Sequence, residues 1–401
     1  MAETDRLRVI VLDVFSRMGL AVVNGLAPSH DVIGGAIGDP RAVERRSRRT
    51  RSPYLVDLFR YPSPLRDPDG FESAIVEACD RLGADAVFPA SSASTLALAR
   101  LRTHRRGDLQ AALVVEDEAK LARLVDKWEL FRLCRQLEIP TPHTVLPVGA
   151  GRDEALAMPL PVVAKPRASE AARGVMIVES RSELEEIIDS PPQFGSDVGE
   201  GEYPYVVQEL VPNGEIHDAK GCGAGGEPVS MITTHRVLTR HEFGGNGLVH
   251  VTTDEPEIRR HVENMMRLLE WNGAFDLEFL RTPDGRYHAL DANPRVWGSV
   301  ELSIALGQNI ALQALEVIAL GRTPAATLDY PIGTECRWLM PGSLACCVRE
   351  PRTPAKVWWR LRTLLGPRRA TITNLKRHNL RHLVGMSLDN RAKRSRARAG
   401  S

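Results

Sequence analysis

Short apolar runs alternate with helical periodicity along the first part of the chain. Residues 7–12 and Asp31–Ile37 are aliphatic runs that predict strands, and residues 18–26 between them have helical character. Residues 71–82 place Phe71, Ile75, Ala78 and Leu82 on one helical face, and residues 85–89 and 111–115 are further short apolar runs. This alternation predicts a parallel α/β sheet. The first strand-to-helix turn, residues 13–19, lacks GxGxxG, so a dinucleotide site there has no support.

The middle of the chain changes pattern. Asp126 and Glu129 have capping-box spacing. Leu130, Leu133, Cys134 and Leu137 follow at helical intervals, and Ile139-Pro140-Thr141-Pro142 stops the helix. Residues 162–165 and 174–178 predict strands joined by the loop 166–173, and residues 191–201 predict a surface loop. Tyr205–Glu209 and residues 215–219, 229–238 and 248–253 predict strands of an antiparallel sheet. Residues 254–271 predict a helix that buries Ile258, Val262, Met265 and Leu269.

Residues 274–281 alternate Phe275, Leu277 and Phe279 with Asp276 and Glu278, one apolar and one acidic strand face. A turn at Thr282-Pro283-Asp284-Gly285 leads to Tyr287–Asn293, where Asp291 and Asn293 share parity with Tyr287 and Ala289. Two registers are open: one sets Asp276 opposite Asp291, the other Glu278 opposite Asp291. Either gathers carboxylates that repel unless water, a basic neighbour or a cation compensates. Carboxylates with an amide oxygen suit Mg²⁺ or Mn²⁺, and Asn293-Pro294-Arg295 adds an arginine suited to phosphoryl charge.

With 43% hydrophobic and 26% charged residues in 401, the composition excludes a disordered or collagen-like chain and suggests two or three domains. The six cysteines contain no CxxC pair, which suits reduced thiols and a cytoplasmic location. Neither a signal region nor an apolar span is indicated. The net charge of +1 hides 16 basic against 4 acidic residues from Ala326 onward. In that extension, Pro354–Leu365 predicts a helix with Val357, Leu361, Leu364 and Leu365 in one stripe and Trp358 beside it, while Lys356, Arg360 and Thr363 lie away. The favoured reading packs this stripe on the body and leaves the arginine-rich end solvated and disordered. Weak association with an anionic membrane surface comes second, and nucleic acid last.

Taken together, these residues resemble the ATP-grasp superfamily, most closely ligases related to the ATP-grasp halves of carbamoyl phosphate synthase and biotin carboxylase, over roughly residues 7–322. The likeness implies phosphate contacts from Lys127 and Lys165, with Arg173 and Gly174 in the phosphate-covering loop. That loop departs from the family pattern, because residues 168–172 contain no glycine. Gln208, Glu209, Leu210 and Val211 resemble the hinge that meets adenine, and Glu215 the carboxylate on the ribose. Glu278, Asp291 and Asn293 match the metal ligands, and Arg295 matches the arginine at the transferred phosphoryl group. Arg236, near Phe243, falls where relatives often place a phosphate or substrate contact.

The implied fold combines α/β and α+β parts: a Rossmann-like preceding domain (1–115), linker helices with a small lid (116–210), a large antiparallel subdomain carrying the metal hairpin (211–325), and the basic C-terminal extension (326–401). The implied reaction is ATP-dependent ligation with Mg²⁺ or Mn²⁺. A small carboxylate becomes an acyl phosphate, an amine or other nucleophile displaces phosphate, and ADP and phosphate leave. A phosphotransferase with the same site and a non-catalytic ATP-binding regulator are the alternatives. A homodimer is compatible with the sequence.

Overall fold

The computed structural model describes residues 6–38, 41, 43–44, 52–104, 109–169, 172–192, 203–241, 244–339, 342–349, 353–366, 371–374 and 383–384. Strands β1 (Arg8–Val11), β2 (Asp31–Ile37), β3 (Leu55–Tyr61), β4 (Ala86–Phe88) and β5 (Ala112–Leu113) form a parallel sheet in the order β3-β2-β1-β4-β5. Its helices are α1 (Arg17–Leu26), α2 (Pro68–Leu82) and α3 (Ser92–His104). Ser16 caps α1 by accepting from the Gly19 N–H, and α2 buries Phe71, Ile75, Ala78 and Leu82 as its periodicity requires. Strand β3 escapes the sequence pattern because Asp57 and Arg60 interrupt its apolar run, a composition suited to the sheet edge it occupies.

Helices α4 (Glu118–Val125) and α5 (Lys127–Gln136) lead to a four-stranded antiparallel sheet ordered β6-β9-β7-β8. Its strands are β6 (Thr144–Val145), β7 (Val162–Pro166), β8 (Met176–Val178) and β9 (Tyr205–Glu209), covered by α6 (Ala150–Ala157) and α7 (Arg181–Asp189). Tyr205–Glu209 therefore does not join the later strands: it pairs with β7, Val162 facing Glu209 and Pro166 facing Tyr205. Most of the loop at 191–201 lies outside the described residues.

The third sheet runs β14-β13-β10-β11-β12-β15-β16. It comprises β10 (Glu215–Ala224), β11 (Glu227–His241), β12 (Gly244–Thr253), β13 (Gly273–Arg281), β14 (Tyr287–Asn293), β15 (Glu335–Arg337) and β16 (Thr371–Thr373). Helix α8 (Pro256–Leu269) buries Ile258, Val262, Met265, Met266 and Leu269 against it. Helices α9 (Val300–Ala305) and α10 (Ile310–Ala319) return to the first sheet. Val300, Ile310, Ala314 and Leu315 share one buried cluster with Val9, Val11, Val22 and Leu26, and the Asn309 amide donates to the Gly25 carbonyl at 2.8 Å.

The extension does more than trail behind. It supplies β15 and β16 to the large sheet, and helices α11 (Ser343–Arg349) and α12 (Pro354–Leu365). The expected α12 stripe is corrected: Arg360, Thr363 and Leu364 are the buried residues, whereas Leu365, Trp358 and Trp359 are exposed. The cause is polar. Arg360 donates to the Thr239 carbonyl at 2.8 Å and Arg337 to the Leu364 carbonyl at 3.1 Å, so a guanidinium occupies the packed face. Arginines 368, 369, 377, 391, 394, 396 and 398 lie outside the described residues. All six cysteines are buried, and none is in a disulfide. Among the described residues, no helix is long and apolar enough to cross a membrane.

Candidate functional site

Lys127 opens α5, and Asp126 caps it by accepting from the Trp128 N–H at 2.8 Å. The reciprocal Glu129 arm of a capping box does not form; Glu129 pairs with Arg132, while Asp126 binds the buried Arg167 at 2.5 Å. That pair, with the Lys127 N–H donating to the Arg167 carbonyl, pins the helix start to the end of β7. Lys165 on β7 thereby comes to lie near Lys127. Both side chains are buried, 6% and 5% exposed. The Lys127 ammonium lies 3.4 Å from the Asp291 carboxylate and 3.4 Å from the Ser169 carbonyl. Lys165 donates to the Leu290 carbonyl at 3.3 Å. Burial, and then the charge of Lys127, lower the Lys165 pKa to about 8 against the pull of Asp291 and Glu278.

The hairpin leaves its turn in neither expected register but reaches the second one, with Glu278 opposite Asp291, at its acids. Near the turn Leu280 faces His288 and Phe279 faces Ala289; beyond it Glu278 faces Asp291 and Asp276 faces Asn293. Leu290 is the extra residue of a bulge. It reverses the alternation, so Tyr287 and Ala289 are buried, while Asp291 and Asn293 are only partly covered around the buried Ala292. The shared parity expected from sequence is thus broken, and the bulge turns Asp291 to the acidic face while offering the Leu290 carbonyl to Lys165. Asn293 donates to Glu278 at 3.2 Å and accepts from Arg295 at 3.0 Å. Arg295 also donates to the Ser92 hydroxyl at 2.6 Å, linking the site to α3.

Beside Glu278 lies a buried charge network. Asp218, fully buried on β10, accepts from Arg236 through both oxygens and from Thr234 at 3.1 Å, and sits 3.0 Å from the Lys220 ammonium. Arg236 also pairs with Glu278 at 2.6 Å. Lys220 donates to Ser299 at 3.0 Å and lies 3.3 Å from the ring of His250, whose pKa burial and the Lys220 charge lower to about 3. Asp218, Asp276 and Glu278 bring carboxylate oxygens within 4.8 Å of one another. Burial raises the Asp276 pKa to about 7, with Asp218 and Glu278 adding to the rise and Lys220 and Arg236 opposing it. Arg236, expected near phosphate, instead spends its charge on Asp218 and Glu278. Asp218, Lys220 and His250 went unread in the sequence; Asp218 inside the predicted strand 215–219 and Lys220 directly after it were the available signal.

No protein-family profile matches the chain, and no curated protein matches it in sequence. Solved structures do. The biotin carboxylase domain of 2-oxoglutarate carboxylase from Hydrogenobacter thermophilus, crystallised with MgADP, ADP and bicarbonate, is similar at TM-score 0.64 and 14% identity, over 83% of this chain and 74% of that one. Biotin carboxylase from Campylobacter jejuni gives 0.64 and 14% over 82% and 74%. The L-amino acid ligase from Bacillus licheniformis gives 0.58 and 14% over 79% and 75%. All three are ATP-grasp enzymes. The chain has the ATP-grasp fold.

On this fold, the other expected residues are spread more widely. Gln208 is buried and donates to Thr144 at 2.7 Å, whereas Glu209 is exposed and accepts from the His143 N–H at 3.3 Å. Leu210 and Val211 begin the connection to β10. Arg173 is exposed; Gly174 has φ +74, and Ala172 before it has φ +60, a left-handed conformation that costs a non-glycine residue roughly 1–2 kcal/mol. Residues 170 and 171 of this loop, like Phe243, lie outside the described residues. Glu215 does not join the lysines. Its carboxylate lies 3.5 Å from Arg281 and 3.9 Å from His217. His217 is buried on the face toward α8, opposite Asp218 by strand alternation.

Proposed function

We propose that the chain is an ATP-dependent ligase that activates a small carboxylate as an acyl phosphate for attack by an amine or other nucleophile, releasing ADP and phosphate. What carries this reading is the convergence of Lys127, Lys165, Glu278, Asp291 and Asn293, from a helix start, a lid strand and a hairpin, on the ATP-grasp fold. The nucleotide is placed between residues 116–210 and 211–325, with its base along Gln208–Val211 and the loop of Arg173 and Gly174 over its phosphates. The carboxylate is placed toward the preceding part, residues 1–115.

The donor set fits Mg²⁺ or Mn²⁺. Glu278, Asp291 and the Asn293 amide are oxygen ligands, and Asp276 keeps one buried oxygen without a hydrogen-bond partner beside them. Held by Glu278, Asp291 and Asn293, the cation would neutralise charge on the transferring phosphoryl group. The protein's own contribution is positional. Lys127 and Lys165, answered by Asp291, Glu278 and backbone carbonyls, present two ammonium groups to anionic oxygens. Arg295, fixed by Ser92 and Asn293, would answer charge that develops during transfer. Closure of the lid sheet would keep water from the acyl phosphate.

The test is ADP release measured against pools of small carboxylates with and without amines, with phosphorus NMR to show free phosphate. Asp291→Asn and Asn293→Ala are expected to lower turnover about 10²-fold or more with unchanged circular dichroism. Turnover that survives both substitutions at saturating ATP removes the metal assignment.

A further inference from the structure

Beyond the cleft, on the α8 side of the large sheet, two histidines and two carboxylates meet. His217 and His235 are direct cross-strand partners on β10 and β11, and their rings stack at 4.8 Å with 9° between planes. One ligand atom from each of Glu215, His217 and His235 lies within 4.8 Å of the other two. His217 is only 4% exposed, yet neither of its ring nitrogens makes a hydrogen bond. A buried imidazole with both nitrogens unsatisfied, stacked on a second imidazole, is costly unless something accepts its lone pair.

The surroundings choose which nitrogen is free. His217 Nδ1 lies 3.4 Å from the Glu255 carboxylate, and the other oxygen of Glu255 takes the Tyr287 hydroxyl at 2.6 Å. A carboxylate oriented by a tyrosine and facing one imidazole nitrogen is the support that metal-bound histidines use. It leaves His217 Nε2 directed toward Glu215, 3.9 Å away. We propose that Glu215, His217 and His235 bind a divalent transition metal of the Zn²⁺ type, with Glu255 as the positioning residue behind His217. Two nitrogens and one carboxylate suit Zn²⁺ and not Mg²⁺. Tetrahedral ligation at Zn–N distances of about 2.0–2.1 Å needs donors roughly 3.3 Å apart, so the donors must close by about an ångström. Glu215 is exposed and His235 half-buried, and both have room to move.

The site also has a position that matters. Glu215 is the first residue of β10, directly after the connection from β9, so a bound ion would tie the junction of the lid and large sheets to β11. Glu215 is thereby assigned to this ion and not to a ribose.

The full-length protein, stripped with a chelator, should take up one equivalent of Zn²⁺ in competition with a chromophoric chelator in the presence of excess Mg²⁺. His235→Ala and Glu215→Gln should each weaken Zn²⁺ at least 100-fold, and Glu255→Gln should weaken it 10- to 100-fold through orientation. Co²⁺ bound in place of Zn²⁺ should show the intense visible bands of four-coordinate cobalt, lost in His235→Ala. MgATP affinity, measured by calorimetry, should persist in His235→Ala, which separates this site from the nucleotide cleft. Glu215 is exposed, so Glu215→Gln reports even if His235→Ala folds poorly. Absence of Zn²⁺ uptake by the parent protein, or equal uptake by the parent and Glu215→Gln, overturns the proposal.

Discussion

Lys165 is held as a charged group in a place that resists the charge. Its pKa near 8 lies below the ordinary lysine value of 10.5, because burial and Lys127 outweigh Asp291 and Glu278. Between those two values the folded chain binds fewer protons than the unfolded chain, so Lys165 makes stability rise with pH there, and its penalty is full below about 8. Lys165→Met should therefore stabilise the apo protein at pH 7 by on the order of 1 kcal/mol, with the gain fading toward pH 10.5. It should weaken ATP tenfold or more. Melting curves across pH and calorimetry check both parts, and a destabilised Lys165→Met at pH 7 contradicts the first. Asp276 runs the other way. Its folded pKa near 7 exceeds the ordinary 3.8, so its cost is absent below 3.8 and full above 7. Asp276→Asn should raise the melting temperature at pH 8 and leave it unchanged near pH 4; equal effects at both would mean the shift is not there.

Elements with one clean period were legible, and those set by long-range pairing were not. Helices α2, α5 and α8 follow their apolar spacing, and the order of lysines, hairpin acids and arginine sufficed to name the fold. The bulge at Leu290 was invisible, because its cause lies outside the hairpin: the Ala289 N–H donates to the Pro140 carbonyl and Lys165 takes the Leu290 carbonyl. The α12 face was misread for a similar reason, since only the partner carbonyls of Thr239 and Arg240 make Arg360 a buried residue. Tyr205–Glu209 read correctly as a strand, but its pattern grouped it with the later strands, because pairing with β7 leaves no local signature; the resemblance alone put it in the lid part, 116–210. The bulge has a direct test. Deleting Leu290 should make the register uniform with Asp291 still opposite Glu278 and Asn293 opposite Asp276, while removing the carbonyl that Lys165 holds. ADP release should fall because Lys165 loses that tether, whereas Leu290→Ala, which keeps the backbone carbonyl, should retain most activity.

At the scale of the molecule, the large sheet crosses the boundary expected at residue 325. Strands β15 and β16 extend it past β12, so the compositional change at Ala326 marks a change of surface charge and not a fold boundary. Binding of the nucleotide between two sheets should be visible globally. MgATP at 100 times its dissociation constant should add about 2.7 kcal/mol to stability, and the same addition to Asp291→Asn should add markedly less. The cluster that joins β1 and α1 to α9 and α10 has a separate consequence, during synthesis. The first sheet emerges from the ribosome early, but the residues that seal it, Ile310, Ala314 and Leu315, are translated roughly 300 positions later. At about 5–20 residues per second that interval is on the order of 15–60 s. Throughout it the part of α1 that packs on α9 and α10 lacks that cover, so nascent chains arrested before residue 300 should be cut more readily by protease within the first hundred residues and should engage holding chaperones more than chains released after α10.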